Sequence, residues 1–457
     1  MQTVDKSKNT MQTLNLTKKY EKYSEYKDSG VEWLGEIPKE WEAYKLRNAL
    51  RSNIVDGPHE TPDYVDEGIP FISVDSIGED EKVNLDIVKK FITEEQYNEY
   101  NKKTKLTKND ILFTKAASIG RVAIVDDRKF MTWSPLAIIK PEPRSAYYKY
   151  LFYVLKSEKF VESVVNSCSF NTQLNIGMKV LEKSMIAVPR DIVEQTKIAD
   201  YLDNKTEMLD QIIEKKQKQI ELLREKRTAV INNAITKGLN PKLELVESSI
   251  DWIGKIPKEW GVEKLKNKTT FLNGYSFNSD EYVDDGLPII RISDVGQDVD
   301  FLQVKRVPYA MRDKIKKFLV RKDDLLIALT GGTIGKTSIY NKNEEIYLNQ
   351  RVGVIRPNKQ LILGFLKFQI ASNIFKKNIE LFCIGGAQPN IGKNEIGNIY
   401  FAFPDKPEQE KIVLYLDKKI NNYNKALNLV EKSIETLQEF KFSLISNVVT
   451  GKIKINS

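Results

Sequence analysis

The segment Gly-Gly-Thr-Ile-Gly-Lys-Thr at 331–337 carries the residue types of a phosphate-binding loop: glycines that expose backbone amides, then a lysine and a hydroxyl. A P-loop requires G-x-x-x-x-G-K-[ST], and the position five before Gly335 is Thr330. The segment also lies between two strand-like runs, where a P-loop opens a helix. A Gly-rich hairpin is the better reading. The one histidine, His59, sits in Asp-Gly-Pro-His-Glu with no nucleophile elbow nearby, which reads as a solvated loop. Pro62-Asp63 and Asp80-Glu81-Lys82 can be fitted to a nuclease pattern, but such matches arise often by chance. Two cysteines, Cys168 and Cys383, are too few for a disulfide scaffold or a cysteine-rich zinc site. There is no glycine-rich S-adenosylmethionine motif and no N-P-P-F or D-P-P-Y tetrapeptide. The side chains left with chemistry to offer are those that recognise: Lys, Arg, Asn, Gln and Ser in loops.

Those loops recur. WLGEIPKEWEAYKL at 33–46 returns as WIGKIPKEWGVEKL at 252–265, and DYVDEGIPFISVDSIGED at 63–80 as EYVDDGLPIIRISDVGQD at 281–298. LTKNDILFTKAASIGR at 106–121 returns as LVRKDDLLIALTGGTIGK at 319–336. NTQLNIG at 171–177 matches GAQPNIG at 386–392, and VEQTKIADYLDNK at 193–205 matches PEQEKIVLYLDKK at 407–419. The period is about 215 residues, far beyond a solenoid repeat, so a whole domain is duplicated. Trp33, Trp41, Trp252 and Trp260 fall in the repeated W-x-G-x-I-P-x-x-W block, which argues for packing. Trp133 has no tryptophan counterpart and is either core or part of one copy's surface.

Each copy has the same order of elements. GIPFISV, DILFTKA, VAIVDD and PLAIIKP read as strands, as do GLPIIRI, DLLIALT, TSIYNK and RVGVIRP. One amphipathic helix follows, over AYYKYLFYVLKSEKFVESVVN and over ILGFLKFQIASNIFKKNIE, and a last strand ends at Pro189 and Pro404. Then comes a long helix, from about Glu194 to Thr236 and from about Glu408 to Thr450, each stopped by a glycine. Positions spaced four and three apart, Leu202 to Ala234 and Leu416 to Val448, are mostly apolar, which is a coiled-coil seam. The expected fold class is α+β. Two tandem α+β domains alternate with two long helices that pack as an antiparallel coiled coil. The boundaries are an extension at 1–27, a domain at 28–190, a helix at 191–240, a domain at 241–404 and a helix at 405–457.

The formal charge of +8 permits nucleic-acid binding without requiring it. No apolar run reaches the ~18 residues of a membrane span, and the first residues do not resemble a signal peptide, so a cytoplasmic location is expected.

The doubled order of domain and helix resembles the specificity subunits of type I restriction–modification systems. So do the W-x-G-x-I-P-x-x-W block, the G-x-x-x-I-G segment and the A-Q-x-N-I-G segment before E-Q-x-x-I. Copy one departs by Thr172-Gln173-Leu174-Asn175 and by Arg190-Asp191-Ile192-Val193 before Glu194. The resemblance implies a non-catalytic chain whose domains each recognise one half of a split DNA site. The helices would set the spacer. Two modification subunits carrying S-adenosylmethionine would dock on them. Restriction subunits with ATP and Mg2+ would complete the complex, and no cofactor would sit on this chain.

Within that reading, loop residues that differ between copies should choose bases, and shared ones should hold phosphates. The candidates in copy one are Lys115, Ser118, Arg121, Asn171, Thr172, Gln173 and Asn175. In copy two they are Arg291, Thr330, Lys336, Asn349, Gln350, Arg351, Gln388 and Asn390. Arg121 and Lys336 suit phosphate, whereas Arg elsewhere suits guanine and Asn or Gln suits adenine. The alternatives are a coiled-coil adaptor that binds protein alone, or the reading component of a related restriction–methylation enzyme.

Overall fold

The repeated apolar runs fold twice into the same topology. The structure, a computed structural model, describes residues 20–78, 81–168, 175–296, 300–383 and 390–455. It divides into two compact units, residues 1–215 with 432–457 and residues 216–431. Among the described residues each unit has eleven strands, paired in the same pattern.

In the first unit a four-stranded antiparallel sheet has the order Val55–Asp56, Leu136–Ile139, Ile111–Thr114, Val122–Ile124. Its two inner strands are buried on both faces, which is why they read as unbroken apolar runs. Successive side chains point to opposite faces. Leu112, Ala123, Leu136 and Ile138 join one cluster with Ile72 and Phe130. Ile111, Phe113, Ala137 and Ile139 join another with Tyr150, Leu151 and Phe160. A three-stranded sheet stands beside it, in the order Phe91–Ile92, Ile69–Ile72, Met131–Thr132.

The second unit repeats this. Its four-stranded order is Thr269–Asn273, Val352–Pro357, Asp324–Ala328, Thr337–Tyr340. Its three-stranded order is Arg306–Val307, Leu287–Ile290, Tyr347–Leu348. The pairing fixes which residues correspond. Ala137 faces Asp56 and Phe113; Gly353 faces Asn273 and Ile327. Asp56 therefore corresponds to Asn273, and Lys115, two residues after Phe113, to Leu329.

The single amphipathic helix expected in each copy is in fact two. Tyr148–Lys156 and Glu158–Asn166 break at Ser157, and Leu363–Ile370 and Asn373–Phe382 break before Asn373. Ser157 and Ser372 are extended. Ser157 bonds back to the Val154 carbonyl, and Ser372 accepts from Phe375 N–H. Short hydroxyl side chains compete with the helix ladder in this way.

The long helices span Ile192–Lys237 and Lys406–Val449. Every seam position is buried or half-buried. Each unit holds the start of one helix against the end of the other. In the first, Leu209 and Ile213 meet Leu437, and Lys441 pairs with Asp210 at 2.7 Å. Leu444, Ile445 and Val448 share the core with Ile198 and Leu202. In the second, Arg224 pairs with Glu431 and Arg227 with Asn424, so residue numbers rise on one helix as they fall on the other. Ile231, Ala234 and Ile235 share the core with Ile412 and Leu416. The two helices thus pair antiparallel within each unit.

The repeated Glu-Gln pins each helix to its domain. The Gln195 amide accepts from Tyr147 N–H and donates to the Ser145 and Pro189 carbonyls. Gln409 accepts from Ile362 N–H and donates to the Gln360 and Pro404 carbonyls. Both are buried. Trp41 is fully buried and its indole N–H donates to Glu194, while Trp252 is 43% exposed.

Candidate nucleic-acid interface

At one end of each four-stranded sheet, four loop segments lie edge to edge. In the first unit the strand Val55–Asp56 runs out into Gly57, which lies against the backbone of Thr132: a Cβ on Gly57 would sit 1.7 Å from the Thr132 carbonyl oxygen. The turn that follows Thr132 reaches Pro135, whose carbonyl accepts from Lys115 N–H at 3.0 Å. The Lys115 carbonyl then accepts from Ile176 N–H at 2.8 Å, and Ala116 bridges to Asn175.

The second unit builds the same row. Gly274 lies against Asn349, where a Cβ would sit 2.1 Å from the carbonyl oxygen. Leu329 N–H donates to the Arg351 carbonyl at 3.0 Å. Ile391 N–H donates to the Leu329 carbonyl at 2.9 Å, and Thr330 bridges to Asn390. The segments 115–120 and 330–335, each ending in Ile-Gly, and the N-I-G segments at 175–177 and 390–392, some 55 residues further on, are thus neighbours in their units.

The structure places the sequence candidates along this row. Ser118, Asn175, Lys336, Gln350, Arg351 and Asn390 are exposed; Arg121, Arg291 and Thr330 are half-buried. Arg121 donates to the Ile77 carbonyl at 3.3 Å. Lys336 lays its stem over Gly296, where a Cβ would collide with it. Both basic residues therefore lean on the equivalent I-G or V-G loop. Arg291 follows the strand Leu287–Ile290, whose last carbonyl accepts from Asn349 N–H. The Gly-rich segment 331–337 forms the turn of a hairpin between Asp324–Ala328 and Thr337–Tyr340, not the start of a helix. Asn171, Thr172, Gln173 and Gln388 lie outside the described residues.

Lys115 and Asn349 are buried. Lys115 has its ammonium 3.0 Å from the Asp56 carboxylate. Asn349 accepts from Arg351 N–H through its side chain.

Sequence reasoning missed a cluster around Asp56. This carboxylate is fully buried at its side chain and meets Lys115 at 3.0 Å, His59 Nε2 at 3.2 Å and Lys103 at 3.3 Å. Ser134 Oγ stands 3.0 Å from His59 Nδ1 and 3.4 Å from Asp56. Burial by itself would raise the Asp56 pKa, but the hydrogen bond and charge of Lys115, then His59 and Lys103, hold it below the ordinary value. The contacting residues stand up to 78 residues away, which no local pattern reveals.

Ser, His and Asp in contact have the residue types of a hydrolytic triad. Here the three form a closed triangle, and two lysines share the carboxylate. A triad instead aligns hydroxyl, ring and carboxylate in sequence, with the carboxylate left to stabilise the imidazolium. The arrangement is that of a fixed polar surface.

At the opposite end of each sheet a second buried acid is neutralised. Asp110 pairs with Arg51 and Lys140, and Asp324 with both nitrogens of the Arg356 fork. Among the described residues there is no group of three or more His, Cys, Asp or Glu arranged to hold a metal, and no helix is long and apolar enough to cross a membrane.

A duplicated α+β head, each copy gathering polar loops at one sheet end and seated on an antiparallel helix pair, defines a two-headed recognition protein. The family model of the type I restriction modification DNA specificity domain matches residues 38–222 and again 257–436. The chain belongs to that family and carries two copies of the domain. It is 25% identical over 430 residues to the type I restriction enzyme MjaVIII specificity subunit of Methanocaldococcus jannaschii, covering 92% of this chain and 95% of that one. The type I restriction enzyme EcoKI specificity subunit of Escherichia coli is 24% identical over 208 residues, 44% of each chain. A chain solved in work on complex assembly and conformational transition of the type I R-M system superposes with a TM-score of 0.68 at 14% identity, covering 90% of this chain and 98% of that one.

Proposed function

We propose that this chain is the DNA-reading, non-catalytic subunit of a type I restriction–modification complex, and that the four-segment row of each unit faces DNA. The supporting observation is the row itself. The backbone hydrogen bonds of Lys115 to Pro135 and Ile176 recur as those of Leu329 to Arg351 and Ile391, while the side chains differ at Asp56 and Asn273, Lys115 and Leu329, and Ser134 and Gln350. A common frame with different side chains is what two readers of unlike half-sites require, and one chain with unlike readers suits an asymmetric site. The helices would carry two modification subunits, which supply S-adenosylmethionine, and restriction subunits would bring ATP and Mg2+. The cellular location expected on this reading is the cytoplasm.

The test is exchange of residues 28–190 for the matching domain of a relative, followed by methylation mapping of cells carrying the whole complex. One half of the methylated motif should change and the other should stay. A change in both halves contradicts independent reading. An adaptor that binds protein alone would show no motif dependent on this chain.

A further inference from the structure

We propose that the Asp56 cluster is the discriminating subsite of the first unit: Asp56 is a positioning residue that holds His59 in place and presents Lys103 to a hydrogen-bond acceptor of DNA. The inference rests on the DNA-reading function above and goes beyond it by assigning residues outside the repeated motifs.

Three observations carry it. The first is place. Asp56 ends a strand at the same sheet end as Ser118 and Asn175, and its partner Lys115 is hydrogen-bonded through its backbone to both flanking segments of the row.

The second is the division between buried and exposed groups. Lys115 is almost wholly enclosed, with 7% of its side chain exposed, so it neutralises the carboxylate and goes no further. His59 and Lys103 are held by the same carboxylate yet stay 67% and 57% exposed. His59 Nε2 lies 3.2 Å from the Asp56 carboxylate and its Nδ1 lies 3.0 Å from the Ser134 hydroxyl, so both ring nitrogens face partners within the cluster. Two contacts thereby hold the ring in place while most of its side chain stays exposed. An ammonium has three donors, and Lys103 directs one to Asp56, leaving others for an acceptor outside.

The third is asymmetry. The second unit has Asn273 and Leu329 where the first has Asp56 and Lys115, so the same backbone position is built without charge. A device present in one unit and replaced in the other belongs to what differs between half-sites. The shared scaffold does not need it.

The acceptor offered to Lys103 is either a phosphate oxygen or the O6/N7 edge of guanine. These share one chemistry and differ in readout.

The experiment uses the full chain in complex with its modification subunits. The methylation motif of the wild-type complex is the reference that establishes DNA reading itself. Domain exchange identifies which half belongs to the first unit. The double variant Asp56→Asn/Lys115→Leu installs the uncharged pair that the second unit already folds with, so its thermal melt should remain cooperative. It should relax one position of the first unit's half-site, lowering discrimination there by about 5- to 100-fold, and leave the other half intact. His59→Ala and Lys103→Ala remove exposed side chains and decide the matter even if the double variant fails to fold. Lys103→Ala that alters base preference identifies a base edge as the acceptor. Lys103→Ala that instead lowers the log–log salt slope by about 0.9 identifies a phosphate. If His59→Ala and Lys103→Ala both keep the wild-type motif and salt slope, the subsite does not exist.

Discussion

Charge at the sheet end falls into two kinds, and each behaves differently when removed. Lys336 is exposed over a glycine loop, so Lys336→Ala should weaken binding alike on matched and mismatched DNA and lower the salt slope by about one. Arg351, on the turn that differs between units, should cost about 1–3 kcal/mol on the cognate site when truncated and relax one position. Salt titrations on cognate and single-change duplexes separate the two, and a reversed pattern would reverse the roles. Asp56 belongs to the second kind. Asp56→Ala strands a buried ammonium and should cost about 3–5 kcal/mol of stability. Its carboxyl is held below the ordinary value of about 3.9, so the stabilisation is complete above that pH and fades as pH falls through the lower folded value. Thermal melts should therefore show the gap between wild type and Asp56→Asn narrowing below about pH 4. A gap that stays constant from pH 7 to pH 3 would mean the pair does not hold the carboxylate in its charged form.

Elements that repeat were legible from the chain, because repetition separates a constraint from an accident. The strands GIPFISV and GLPIIRI, the hairpin segments and the long helices fall where the pattern put them. The break at Ser157 and before Asn373 was not legible, since the apolar spacing continues across it and only the local hydroxyl bonds interrupt the ladder. The Asp56 cluster was hidden for the opposite reason: its second copy is Asn273, so comparing copies gave no signal. The best clue in the sequence is that the chain's one histidine follows Gly57-Pro58, a pairing that by itself signals only a solvated loop. The Glu-Gln motif has a clear physical role that spacing could not give. Gln195 closes three backbone hydrogen bonds where strand, loop and helix meet. Gln195→Met keeps the shape and leaves those groups unpaired, at about 1–3 kcal/mol for each buried group. The melting temperature should fall markedly while the methylation motif is unchanged; altered specificity with unchanged melting would put Gln195 in the reading surface instead.

For the whole molecule, the seam makes the helix pair a candidate ruler for the spacer between half-sites. The pairing of Asp210 with Lys441 sets the antiparallel register, so the Glu214–Lys215 bond stands opposite Thr436–Leu437. One heptad inserted at both points keeps the seam in phase on each helix, whereas an insertion of four residues in one helix acts as a stutter and shifts every later pair. Seven residues lengthen each helix by about 10 Å. DNA rises about 3.4 Å per base pair, so the spacer should grow by about three. Both half-sites should keep their sequences, because no residue of either sheet end is touched. A heptad placed in the first helix alone should instead mismatch Arg224 and Arg227 against Glu431 and Asn424 and lower stability without defining a new spacer. Methylation mapping of cells carrying the doubly extended chain with its partner subunits reads the spacer directly. A stable, active complex with the original spacer would show that the distance is set elsewhere, by the docked subunits or by bending of the DNA.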